Sequence, residues 1–265
     1  MSFDVRGLTL GLLLLVLGSS GFAGCIGSPT NDGEYGLVVT YETTNVTIVE
    51  HWEEGELVST EYPVLTFDFS GSMLPGKAIM HTVEGTHASG TVDASTSSLV
   101  EVQFEHHGLH LLELTTDYEG STAGESKTEA YPERVVVRVE KRIEWLETST
   151  SDPVPMVLDS INEAGEEPAS ALVIESTVSN PALITNVGGG QEVDITWGLI
   201  DGAEQACQSH QGTVGDGDAV TWKTVHFNTY EAHELRVMYE DGQDLVDVEQ
   251  TVSIQYEHLE TKPNA

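Results

Sequence analysis

Positive charge is what this chain lacks most: 10 Lys and Arg stand against 44 Asp and Glu, for a formal net charge of −34. Phosphate neutralisation needs clustered Lys and Arg, so nucleic acid is excluded as a partner, and anionic headgroups are repelled as well. Cysteine is scarce too, with only Cys25 and Cys207 present. If Cys25 is committed elsewhere, no internal disulfide is available. Stability must then come from burying β-branched and aromatic residues in cores of adequate size. Also missing are a Gly-x-Ser-x-Gly elbow, a His-Glu-x-x-His pair and a phosphate-cradling glycine loop. No catalytic residue, cofactor or metal site is therefore assigned, and the chain is not read as an enzyme. Carboxylate pairs abound, but a glycosidase dyad does not stand out among 44 acids.

One apolar run is present. Arg6 precedes an uncharged apolar stretch over 7–17, followed by Gly18, Ser19, Ser20 and Gly21. This is the layout of a signal peptide, and the run falls far below the roughly 20 residues a spanning helix needs. Phe22-Ala23-Gly24-Cys25 resembles the lipobox of prokaryotic lipoproteins, where small residues before the cysteine let a peptidase cut and the thiol receives a lipid. Phe22 stands where Leu is usual. The resemblance implies removal of residues 1–24, lipid attachment at Cys25, and membrane lipid as the partner that holds the chain at the extracytoplasmic face. Each buried methylene contributes about 0.8 kcal/mol, so two chains hold a soluble body firmly. The alternative is an ordinary signal peptide with an incidental cysteine.

The acidic coat keeps a protein solvated at high ionic strength, where screening over a few ångströms removes most self-repulsion. It reads as adaptation to a salty medium, with a cation-binding surface as the functional alternative.

Beyond a Gly, Ser, Pro and Asn tether over 25–35, strand patterns dominate and no amphipathic helix competes. One series covers 37–42, 46–52, 64–69, 99–104, 110–116 and 135–139. A second covers 171–178, 192–199, 219–227, 233–239 and 248–256. Between them a Ser/Thr/Pro stretch over 147–155 is the best linker, and 142–146 either closes the first series or opens the second. An internal repeat supports the division. Phe104 is followed by His110, Leu112 and Leu114, as Phe227 is by His233, Leu235 and Val237; Met80 precedes Glu84-Gly85 as Trp197 precedes Asp201-Gly202.

These residues resemble the polycystic-kidney-disease (PKD) domain, an Ig-like β-sandwich of archaeal and bacterial surface proteins. Phe67-Asp68-Phe69-Ser70-Gly71-Ser72 matches its early segment, and Trp197 through Asp201-Gly202 partly matches its Trp-x-Phe-Gly-Asp-Gly mark. Gly108-Leu109-His110 through Asp117 to Gly120 looks like its late strand. Met80 replaces the Trp in the first copy and Glu84 the Asp. The resemblance implies an all-β chain of two tandem sandwiches, 36–146 and 156–258, with a 259–265 tail. In each, the residue at the Trp position fills the space between sheets.

Sharper motifs compete with this reading. Asp68-x-Ser70-x-Ser72 also resembles the metal-ion adhesion motif of von Willebrand A domains, with Thr116-Asp117 as its later loop, but Pro75-Gly76 follows where a helix is required. His106, His107 and His110, with His81 and His87 nearby, suggest a metal. Alternation nevertheless puts His106 and His107 on opposite faces, and the repeat makes His110 and His233 equivalent wall residues. Cys207-x-x-His210 resembles the ligand loop of blue-copper proteins but lacks the following Met and the aromatic run before it, so Cys207 reads as a loop residue. Asn45-Val46-Thr47 is the one glycosylation sequon, making Asn45 a candidate acceptor. The expectation is an anchored, non-catalytic envelope module that contacts other envelope proteins or glycans. Its alternative is an accessory lipoprotein binding a small ligand or divalent cation, with a hydrolase or redox carrier ranked third.

Overall fold

The computed structural model describes residues 35–161, 168–181, 190–239, 243–257 and 259–265. The signal segment, Cys25 and the 240–242 end of the second repeat lie outside them. As the alternation predicts, the chain is all-β, with sixteen strands and no helix among the described residues. The first nine are β1 (Asn45–Glu53), β2 (Glu56–Glu61), β3 (Val64–Asp68), β4 (Ala78–Glu84), β5 (Ser89–Asp93), β6 (Leu99–Gln103), β7 (Gly108–Glu119), β8 (Ser126–Ala130) and β9 (Val135–Thr150). The rest are β10 (Met156–Leu158), β11 (Ala171–Ser179), β12 (Val193–Asp201), β13 (Ala206–Val214), β14 (Ala219–His226), β15 (His233–Tyr239) and β16 (Val246–Gln255).

They form a ten-stranded sheet running β14-β11-β16-β9-β7-β4-β5 with β1, β2 and β8 attached, a four-stranded sheet β10-β15-β12-β13, and the pair β3-β6. Two apolar cores result. Phe67, Phe104, Leu112, Leu114, Val137 and Val139 fill one, and Ile143, Trp145, Leu172, Trp197, Leu235 and Ile254 fill the other. Strand β9 serves both. Its Val135, Val137 and Val139 enter the first core, and two positions beyond a polar step, Ile143 and Trp145 enter the second. Odd-numbered side chains share one face of a strand, so a single face of β9 is buried along most of its length.

The ladder shows why the halves are fused. Arg138 pairs with both Leu109 of β7 and Asn45 of β1, and Arg142 pairs with both Ser253 of β16 and Val49 of β1. A strand has two edges, so β7 and β16 lie end to end along one edge of β9 while β1 runs parallel along the other. Residues 147–150, expected to begin a linker, instead continue β9, and Glu147 is buried, accepting the Trp145 indole N–H at 2.8 Å. The 142–146 step belongs with the second core. The β1–β2 hairpin turns on Glu54-Gly55, both at positive φ (51° and 81°), the two-residue turn whose twist matches the flanking strands.

Other expectations need correcting. Segment 37–42 alternates inward with Leu37, Val39 and Tyr41 but makes only the isolated bridges Gly36↔Met73 and Thr40↔Asp68. Met80 does not fill the space between sheets: it is 41 % exposed, and the neighbouring His81 turns inward to stack on Phe69 at 4.7 Å. Trp197 does fill it, fully buried, with its indole N–H donated to Ser176 Oγ at 2.9 Å. The 259–265 tail is a strap across the first half. Asn264 Nδ2 donates to the Val39 carbonyl at 2.9 Å, and the Val136 N–H donates to Thr261 Oγ1 at 2.9 Å.

Candidate metal centre

Cys207 owes its position to a bulge. β12 and β13 pair regularly from Val193↔Val214 to Leu199↔Gln208, then Ile200 pairs with Ala206, which leaves Cys207 as the extra residue. An extra residue bends its strand and re-aims its side chain. The connecting turn is closed by Asp201, whose Oδ1 accepts the N–H groups of Ala203 and Gln205, each at 2.9 Å. With Oδ1 occupied there, Oδ2 faces the Cys207 thiol at 3.9 Å.

Two histidines close on the same point. His226 ends β14 and His233 opens β15, where it lies directly opposite Asp201 in the β12–β15 ladder. The loop between them is fixed from below. Thr229 Oγ1 bonds the Ala169 carbonyl, and the buried Ser160 hydroxyl donates to the Thr229 carbonyl at 3.0 Å. The imidazoles meet edge to face with Nε2 atoms 3.2 Å apart and centroids 4.7 Å apart. His226 and His233 are buried, Cys207 is exposed, and one ligating atom from each lies within 4.8 Å of the others. The other His233 nitrogen, Nδ1, is buried without a hydrogen-bond partner among the described residues.

Electrostatics around the group favour a cation. Desolvation, then the Asp201 and Glu231 carboxylates, push the Cys207 thiol up. Asp201 is held below the usual carboxylate range, chiefly by the Gln205 and Ala203 backbone bonds and also by His233. His226 is lowered by burial and then by His233. One thiol and two imidazoles are the donor types that tetrahedral transition-metal sites use, and the Asp201 carboxylate lies beside the thiol.

The residues weighed in the sequence fall elsewhere. His210 is three positions along β13 from Cys207 and stacks on Trp197 at 5.7 Å. His106, His107 and His110 do not converge: His110 Nε2 donates to the His106 carbonyl at 2.7 Å, and His107 Nδ1 contacts the Tyr256 hydroxyl at 2.6 Å. Asp68 Oδ1 is used by the Ser70 N–H and the Ser98 hydroxyl, while Ser72 bonds the Val38 backbone. Asn45, the candidate acceptor, is exposed at the start of β1.

The spacing of the repeat's phenylalanines points to His233 and passes over His226. Phe104 packs edge-on against His110 at 5.1 Å, but Phe227 is 73 % exposed, and His226, one residue earlier, packs against His233. A one-residue shift at the end of β14 thus puts an imidazole where the first half has a hydrocarbon ring.

No family model matches the chain, and no curated protein does. Among solved structures, Bacteroides uniformis β-glucuronidase 2, covalently bound to cyclophellitol-6-carboxylate aziridine, aligns at 9 % identity with a TM-score of 0.26 over 83 % of this chain. The alignment takes in 30 % of the glucuronidase. A two-domain protein with unknown function from Bacteroides fragilis aligns at 8 % identity with a TM-score of 0.25, over 81 % of this chain and 94 % of that one.

Proposed function

We propose that the chain is a non-catalytic module of the cell envelope, PKD-like in build, held at the outer face of the membrane by a lipid on Cys25. The observation that carries this reading is the pairing of an Ala23-Gly24-Cys25 lipobox with an all-β body whose two cores share β9. A hydrogen-bonded ladder unbroken from β5 to β14 resists bending between the cores, which suits a part that must hold a surface at a fixed distance from the bilayer. The net charge of −34 suits a brine-facing surface. Mass spectrometry of the native N-terminus tests the anchor. A lipid-modified Cys25 at the first position supports it, and a chain intact from Met1 in the soluble fraction overturns it. A second reading, an accessory cation-binding lipoprotein, is favoured by the Cys207, His226 and His233 group.

A further inference from the structure

We propose that Cys207, His226 and His233 bind one zinc-type divalent ion, with the Asp201 carboxylate beside the Cys207 thiol. Four observations converge on this group. Two imidazole nitrogens 3.2 Å apart match the edge of a tetrahedron whose metal–nitrogen bonds are about 2.0–2.1 Å, which is about 3.3 Å long. Asp201 Oδ2 lies 3.9 Å from Cys207 Sγ, which sets a carboxylate beside the thiol that an ion would take up as thiolate. His233 is 1 % exposed, yet among the described residues its Nδ1 has no partner and its Nε2 meets a second imidazole nitrogen, a pairing of two nitrogens that a shared cation would satisfy. Finally, local structure sets the positions: a bulge places Cys207, a closed turn places Asp201, and a loop tied to Ser160 joins His226 to His233.

The donor set selects the ion. A thiolate and two imidazoles disfavour Mg²⁺ and Ca²⁺, which take oxygen ligands. Cys207 is exposed and the histidines are buried, so the ion sits at the surface with one side open, able to exchange or to accept a ligand from a partner. The acidic surface concentrates cations around it without supplying nitrogen or sulfur donors.

The test uses the full chain in high salt, where loose binding to surface carboxylates is screened. Zinc titration against a competing chelator is expected to give one tight site. Cobalt substitution is expected to give a thiolate-to-metal charge-transfer band with tetrahedral d–d bands. C207S abolishes the charge-transfer band, H226N and H233N weaken zinc binding by more than about 100-fold, and D201N weakens it about 10–100-fold. H210N leaves it unchanged. Where a histidine variant fails to fold, peptide-resolved alkylation of wild-type Cys207 decides the matter, since bound zinc slows it. Weak multi-site uptake, binding equal in C207S and wild type, alkylation indifferent to zinc, or a site that takes Cu⁺ and refuses Zn²⁺ would overturn the proposal. None of these outcomes depends on whether Cys25 carries a lipid.

Discussion

The indole of Trp52 lies stacked on that of Trp145, with centroids 5.5 Å apart and planes inclined by 20°. The two residues face each other in the parallel β1–β9 ladder, and Trp52, from the first half of the chain, packs on the second core. Trp52→Ala is expected to cost about 2 kcal/mol, from a half-buried ring and its stacking partner. Urea unfolding measures the loss, and near-UV circular dichroism should lose the pair's signal. An unchanged unfolding midpoint would show that the stack contributes nothing to joining β1 to the second core.

Arg138 is the buried cation of the junction. Its guanidinium donates to the Tyr256 carbonyl at 3.2 Å and lies 3.3 Å from Glu140 and 3.2 Å from Glu260. Removing the guanidinium leaves two half-buried carboxylates without their cation, so Arg138→Ala is expected to destabilise by about 2–3 kcal/mol. Arg138→Met combined with Glu260→Leu should recover much of that loss, because an apolar replacement leaves fewer orphaned charges. Chemical denaturation of the single and double variants checks both. Recovery absent from the double variant would show that the guanidinium acts mainly through packing.

Acid should destabilise the first half through two buried histidines. Burial lowers His81, whose Nδ1 meets Thr116 Oγ1 at 2.8 Å, and also lowers His110, with His106 and His87 adding repulsion. Their folded pKa values lie below the ordinary 6.5, so the unfolded chain binds protons first as pH falls. Stability is therefore full above about pH 7 and declines through the 6.5 region until the folded groups also titrate. Asp68 and Asp201, lowered from 3.8, act only at more acid pH, which separates the two effects. His81→Asn with His110→Gln, each keeping the nitrogen used, should reduce the slope of unfolding free energy between about pH 7.5 and 5, leaving the part that His226 contributes. A slope identical to wild type would place the acid sensitivity in other groups.

Much of the architecture was legible in the chain because strand formation is local. Alternation at 64–69, 99–104, 171–178 and 233–239 marks β3, β6, β11 and β15 to within a residue or so. β2, β4, β5, β8, β10 and β13 went unread. β10 is only three residues long, and the others have weak or mixed inward faces, as in β13, where only Val214 is buried, so their pairing comes from neighbours. Met80 misled because a one-residue shift exchanges faces, so the repeat's spacing survived while its inward residue became His81.

By itself the sequence determined the all-β class, the acidic surface and the positions of most strands, since period and composition act over a few residues. Only tertiary structure decided that β9 serves two cores, that Asn264 returns to Val39, and that Cys207 meets His226 and His233. Those meetings join residues far apart in the chain. They depend on which edges pair and where a bulge falls, and no local pattern encodes either.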